Sequence, residues 1–219
     1  MWCIQEITQE YRDRMYALLS LYQQEHNKSS PVICVDEKNK QLMEDSRSPL
    51  VMKAGSVGKY DYEYKRKGTS NIFVAVEPKG GKRVVKVTET RTKQDYAYFI
   101  KELLEKHYPE ATSIRLVADN LNTHFATSFY ETFPRQQADD LLKRIDFYYT
   151  PKHASWLNMA EIEISIMDRQ CTGRRIGSKE EIKKEVSAWV RKRNNEKKQI
   201  AWSFTRQQAD KKLSNHYVA

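Results

Sequence analysis

Apolar residues recur along this chain at two different spacings, and the switches between them mark out its elements. Tyr11, Met15, Leu18, Leu19 and Tyr22 fall at helical intervals, so residues 1–30 read as a helical lead-in that closes in the polar run before Pro31. Val32-Ile33-Cys34-Val35 is a short continuous apolar run, as expected of a buried strand, and it stops at Asp36. Residues 37–70 are polar and rich in turn formers, with Tyr60, Tyr62 and Tyr64 alternating as on a strand with one aromatic face. Two β-rich stretches, 71–77 and 83–88, flank Pro78-Lys79-Gly80-Gly81-Lys82 and predict an antiparallel hairpin.

Helical spacing then returns. Thr92 and Asp95 form a candidate capping box ahead of Tyr96, Phe99, Ile100, Leu103, Leu104 and His107, and Pro109 ends that helix. Ile114 to Ala118 is an apolar strand ending at Asp119. A short helix near Thr123 to Phe129, a polar helix near Pro134 to Lys143 and a strand from Ile145 to Tyr149 follow. Glu161 opens the next helix, residues 178–196 form another with Ser178 and Glu181 as its capping box, and Thr205 with Gln208 caps a last one.

The order strand, hairpin pair, helix, strand, helix, strand, helix predicts an α/β protein with a mixed sheet and helices on both faces. With acids on the first and fourth strands and on a following helix, it resembles the ribonuclease H-like arrangement. No internal repeat interrupts it, so the simplest division is a lead-in at 1–30, one domain at 31–200 and a C-terminal helix within 201–219 packed on or near it.

Composition narrows the partner. At 219 residues with 39% hydrophobic residues the chain can build a sizeable core, which excludes disorder and miniature scaffolds. Its 38 Lys and Arg against 29 Asp and Glu leave a net charge of +9, suited to a polyanion. The excess is concentrated, because residues 169–198 carry eleven basic side chains and four glutamates. Following Glu161 directly in sequence, that run is expected to lie near the acids, where phosphate contacts would position a duplex. Three scattered cysteines form neither a disulfide framework nor a zinc motif. With no apolar stretch near 20 residues and no signal peptide, the expectation is a soluble, cytoplasmic protein without a membrane partner.

Asp36, Asp119 and Glu161, from three distant segments, are the candidate catalytic and metal-ligating residues. Two strand-end carboxylates and one helical carboxylate are what a site for a pair of divalent cations requires. The bland reading for the aspartates is a capped turn at the end of a strand. Helical geometry separates Glu161 from Glu163: at about 100° per residue, Leu157, Ile164 and Asp168 fall within roughly 60° of Glu161, and Glu163 lies about 160° away. Glu161 is therefore expected on the inward stripe, where a carboxylate needs a cation or a partner, and Glu163 in solvent. His124 could ligate a metal or act as a general base, but a lone histidine after a strand is more often a hydrogen-bonding or phosphate-contacting residue; Lys152 and His153 are expected to contact phosphate, with Arg174, Arg175, Lys183, Arg191 and Arg193 from the basic run. Trp156 would pack in the core or stack on a base.

Three blocks, Val35-Asp36-Glu37-Lys38, Asp119-Asn120-Leu121-Asn122-Thr123-His124 and Tyr149 to Glu161, resemble those of DDE transposases of the Tc/mariner superfamily, in its bacterial insertion-sequence branch, family six-thirty. Leu157-Asn158-Met159-Ala160-Glu161 matches that family's leucine-asparagine-x-x-glutamate element and sets its third acid on Glu161. The similarity runs from Trp2-Cys3-Ile4 to Lys212-Leu213. It implies cleavage at transposon ends and joining of the freed 3′ hydroxyl to target DNA, with two Mg2+ or Mn2+ ions per site. It also implies a double-stranded DNA partner, a homodimer or larger assembly on that DNA, and action at the nucleoid. Relatives carry helix-turn-helix domains ahead of the catalytic part, for which this chain has no room before its first strand, so recognition of transposon ends is expected to need a further component. Two other readings stay open: a non-catalytic DNA-binding remnant or regulator of transposition, and a different ribonuclease H-like nuclease.

Overall fold

The computed structural model describes residues 6–218, so Trp2-Cys3-Ile4, with Cys3, lie outside the described residues. Five strands form one mixed sheet in the order β3-β2-β1-β4-β5. They are β1 (Val32–Asp45), β2 (Tyr64–Glu77), β3 (Lys82–Thr88), β4 (Ile114–Ala118) and β5 (Ile145–Tyr149). β1, β2 and β3 pair antiparallel, while β4 and β5 run parallel to β1. The helices are α1 (Gln9–Gln23), α2 (Lys93–Glu102), α3 (Thr127–Tyr130), α4 (Arg135–Leu142), α5 (Met159–Met167), α6 (Lys179–Asn195) and α7 (Arg206–Leu213). Helices cover both sheet faces, as expected, and among the described residues none is long and apolar enough to cross a membrane.

Side-chain alternation divides the core. Ile33 and Val35 of β1, with Phe73 and Ala75 of β2, point to the face covered by α2, α3 and α4. Cys34, Ile72, Val74 and Val76 point the other way, towards α1, α5 and α6. α7 sits against α1 and buries Ala209 there.

Two expectations fail between β1 and β2. β1 does not stop at Asp36 but continues to Asp45, paired with β2 all the way, so Asp36 lies inside a strand. Beyond Asp36 the strand is held by its backbone ladder, which needs no apolar sequence, and Leu42 is its only further buried apolar side chain. The expected aromatic face is also absent, because Tyr64 opens β2 whereas Tyr60 and Tyr62 precede it and are 78% and 85% exposed.

Elsewhere local signals suffice. Thr92 and Asp95 form both bonds of a capping box on α2, as do Thr205 and Gln208 on α7. At α6 the Ser178 side chain caps as expected, but the Glu181 carboxylate accepts from the N–H of Gly177 rather than Ser178. The hairpin between β2 and β3 turns at Gly81, where φ is +69° and a Cβ would stand 2.7 Å from the Lys197 carbonyl oxygen. The segment after α6 is docked on this turn, with the Ile200 N–H donating to the Pro78 carbonyl at 3.0 Å.

Candidate active site

β1 and β4 are parallel neighbours, with Cys34 beside Val117. Two residues further along the chain come Asp36, on the same face of β1 as Cys34, and Asp119, the first residue past β4. Asp36 faces α5, and Asp119 stands where β4 ends, close enough for its charge to bear on Asp36. Asp36 is largely buried, and its Oδ1 accepts the N–H of Glu37 at 2.8 Å. Asp119 Oδ1 accepts the N–H of Leu121 at 2.9 Å and lies 2.7 Å from His124 Nδ1.

The third acid is brought in by Asn158. Its Oδ1 caps α5 by accepting the Ala160 N–H at 3.1 Å, and its Nδ2 donates to the Val35 carbonyl at 2.9 Å. This fully buried side chain thus fastens the N-terminus of α5 to the residue just before Asp36. Glu161 stands in the first turn of α5, where the helix dipole favours a negative charge.

The helix phase differs from that expected. Leu157 belongs to a separate 3-10 turn, and the extended backbone at Asn158 breaks the register before α5 begins. Counting from Leu157 therefore misplaced Glu163, which is fully buried rather than solvated. It binds Arg83 Nη2 at 2.9 Å and Arg193 Nε at 3.0 Å, tying α5 to β3 and α6. Glu161 is only partly buried and accepts no hydrogen bond from the described residues.

The electrostatics are those of crowded carboxylates. Burial first, and then the charges of Glu161, Asp119 and Glu37, raise the Asp36 carboxyl to about 7, against the lowering effect of the Glu37 N–H. Burial also pushes Asp119 upward, but the bonds from His124 and Leu121 and the charges of His124 and Arg91 outweigh it and hold Asp119 below the usual carboxylate range. Among the described residues no three His, Cys, Asp or Glu side chains are drawn together as a closed metal site. The donor set nevertheless fits divalent cations: Oδ2 of each aspartate and both oxygens of Glu161 remain free of hydrogen bonds from the described residues, and the charges left uncompensated are all oxygen anions.

The expected phosphate contacts divide into three groups. Lys152 and His153 are exposed in the turn after β5 that leads to Asn158, with His153 at φ +60°. Lys183 and Arg191 are exposed on α6, which packs on the edge strand β3 rather than beside Asp36, so the basic run does not line the acids as its place in sequence suggested. The rest are committed internally. His124 is fully buried between Asp119 and Glu37, with Nε2 2.9 Å from Glu37 Oε2, and has no face for a phosphate. Burial works against its charge, but the two carboxylates outweigh burial and raise the imidazole to about 9. Arg193 is taken up by Glu163, Arg175 binds Asp45 and the carbonyls of Tyr62 and Glu63, and Arg174 pairs with Glu181 and Glu185 while staying half exposed. Trp156 is 43% exposed and stacks on Trp202 rather than filling the core.

Two cations that the sequence did not single out stand nearer the acids. Arg14 of α1 donates to Asn120 Oδ1 at 2.7 Å, and Arg91, on the segment between β3 and α2, lies 3.7 Å from Glu37 and acts on the charge of Asp119. Neither falls in a basic run, so composition carried no signal for them. Glu37 was equally silent, being the exposed-looking neighbour of Asp36.

Residues 31–183 match the family model of the DDE superfamily endonucleases. No curated protein sequence matches the chain at a significant level. The fold is similar to that of the Mos1 mariner paired end complex with Mn, at a TM-score of 0.58 and 16% identity over 99% of this chain and 65% of that one. The Mos1 mariner paired end complex with Mg gives 0.58 and 16% over 100% and 66%. The Mos1 Strand Transfer Complex gives 0.55 and 16% over 83% and 52%. This chain thus spans about two thirds or less of the length of those chains, and the likeness shows a shared ribonuclease H-like fold.

Proposed function

The chain belongs to the DDE superfamily of endonucleases, and on that premise we propose that it is the catalytic domain of a DNA transposase of the Tc/mariner superfamily, in its bacterial insertion-sequence branch. The observation that carries this is that carboxylates from three distant segments bear on one another: Asp36 inside β1 feels the charges of Asp119, just past the neighbouring β4, and of Glu161, on a helix fastened to Val35.

Asp36, Asp119 and Glu161 would hold Mg2+ or Mn2+, two ions per site. When bound, such cations stabilise charge on phosphate oxygens and lower the pKa of an attacking water or hydroxyl. The chain's own contribution is to hold four carboxylate oxygens free at the mouth of the sheet, on a frame whose hydrogen bonds are already made. Water attacks a phosphorus at the transposon end as the bond to the 3′ oxygen breaks, leaving a 3′ hydroxyl. That hydroxyl then attacks a target phosphorus, forming one phosphodiester bond as another breaks, so the number of bonds is conserved. Lys152 and His153 on the turn after β5, with Arg14 and Arg91, suit the scissile strand, while Lys183 and Arg191 suit phosphates further along the duplex.

The partner is double-stranded DNA, and the working form is a homodimer or larger assembly on it. Supporting assembly, the segment between β1 and β2 exposes Leu50, Val51, Met52, Val57, Tyr60 and Tyr62, an apolar surface that a monomer in water gains nothing by presenting.

The test is incubation of the purified chain with Mg2+ or Mn2+, supercoiled plasmid and a labelled oligonucleotide bearing a 3′ hydroxyl, beside Asp119→Ala. Metal-dependent nicking or joining that vanishes in Asp119→Ala is the expected result. Wild type and Asp119→Ala equally silent, while both bind DNA, would overturn it in favour of a regulator of transposition.

A further inference from the structure

Glu37 is joined to both aspartates of the site. Its N–H donates to Asp36 Oδ1 at 2.8 Å. Its side chain, on the opposite face of β1, reaches His124 Nε2 at 2.9 Å, and the other nitrogen of that ring lies 2.7 Å from Asp119 Oδ1. Asp36, Glu37, His124 and Asp119 form an unbroken chain of hydrogen bonds crossing from β1 to the segment after β4.

The ring at its centre is held on every side. His124 is fully buried, it packs on Tyr96 with ring centroids 4.6 Å apart, and its backbone carbonyl accepts from the Tyr149 hydroxyl at 3.1 Å. Its own N–H closes a turn on the Leu121 carbonyl at 2.9 Å. Asp119 Oδ1 therefore meets two donors, the Leu121 N–H and the imidazole, both fixed by their surroundings. Occupying Oδ1 twice sets the plane of the carboxylate and leaves Oδ2 as its free oxygen.

The geometry points to Glu37 and His124 as positioning residues for the acid pair, a relay that holds Asp119 in one orientation towards a divalent cation. The inference rests on the reading of Asp36, Asp119 and Glu161 as cation ligands. A group one bond behind a ligand typically changes metal affinity by about 10- to 100-fold when removed. Glu37 is outside the three acids and touches no substrate in this scheme; it acts on Asp119 only through His124.

The test is Mn2+ binding to the full chain without DNA, followed by electron paramagnetic resonance of the free ion. The variants are Asp119→Ala, Glu37→Gln and the double variant Glu37→Leu with His124→Phe. The double variant replaces both members of a buried polar pair by apolar groups of similar shape, a change that tends to be close to neutral for folding, and its unfolding curve checks this. Expected is a loss of Mn2+ affinity of about 10- to 100-fold in the double variant, with Glu37→Gln, which keeps an acceptor for the ring N–H, staying within a few-fold of wild type. If Asp119→Ala loses Mn2+ while the folded double variant binds as wild type does, the relay is overturned. If Asp119→Ala itself binds Mn2+ unchanged, the reading of the three acids fails instead. A double variant that does not fold leaves His124→Asn to decide, since Asn keeps a donor for Asp119 but cannot also reach Glu37: unchanged Mn2+ affinity there overturns the relay, and a loss supports it.

Discussion

The Asn158 side-chain amide donates to the Val35 carbonyl at 2.9 Å, across 123 positions of sequence, while the oxygen of the same side chain caps α5. One residue thereby sets both where the helix starts and where its first turn stands relative to Asp36. The consequence is separable by substitution. Asn158→Asp keeps the capping oxygen and loses the donor, whereas Asn158→Ala loses both. Asn158→Ala is expected to cost about 1–3 kcal/mol in urea unfolding, from the cap and the orphaned buried carbonyl. Both variants should lower metal-dependent nicking by at least about tenfold, because a displacement near 1 Å is enough for such losses. Full nicking by folded Asn158→Asp would show that the clamp on Val35 is not needed.

Glu163 is expected to matter for stability and not for chemistry. Arg83 is fully buried, and removing its carboxylate partner strands a charge in the core. Glu163→Ala should destabilise the fold by about 3–5 kcal/mol, as measured by chemical denaturation. A loss below about 1 kcal/mol, or loss of Mn2+ binding without loss of stability, would move Glu163 into the active site.

The crowding at Asp36 predicts how the metal-free protein responds to pH. Its folded-state pKa, raised to about 7, lies above the unfolded value of 3.8. The stabilising effect of its protonation is therefore fully present below about pH 4 and is lost as pH rises through about 7. In a chelator, Tm is expected to fall over that interval, Asp36→Asn to flatten the fall, and Mg2+ to restore Tm at pH 8 in wild type but much less in the variant. Identical profiles for the two proteins would show that Asp36 carries no such strain.

The basic helix predicts a contrast between neighbours. Lys183 and Arg191 are exposed and make no ion pair among the described residues, whereas Arg193 is spent on Glu163. Lys183→Glu with Arg191→Glu should weaken duplex binding and lower the slope of log K against log salt by about 2, leaving the unfolding midpoint nearly unchanged. Arg193→Ala should do the reverse, lowering stability with little effect on the salt slope. Equal slopes for wild type and the double charge reversal would argue against any contact of α6 with DNA.

How much of this was legible beforehand varies by element. Thr92 with Asp95 and Thr205 with Gln208 announced their helices because a cap is made within four residues, and the run into Asp119 announced β4 because a buried parallel strand is apolar on both faces. The far half of β1 was illegible, since residues 37–45 are held by pairing with β2 and not by their own apolarity. The basic run misled for a related reason: charge density along the chain says nothing about which sheet edge a helix will cover.

The sequence by itself determined the order of the elements and the caps that start the helices, which rest on interactions between near neighbours or on side-chain periodicity. Tertiary structure alone decided the fate of the other charged groups. Glu163 is internal because Arg83 and Arg193 meet it from 80 and 30 positions away, and His124 is internal because Glu37 lies 87 positions before it. Whether a charge is buried depends on whether a partner arrives to offset its desolvation, and that partner is delivered by the fold.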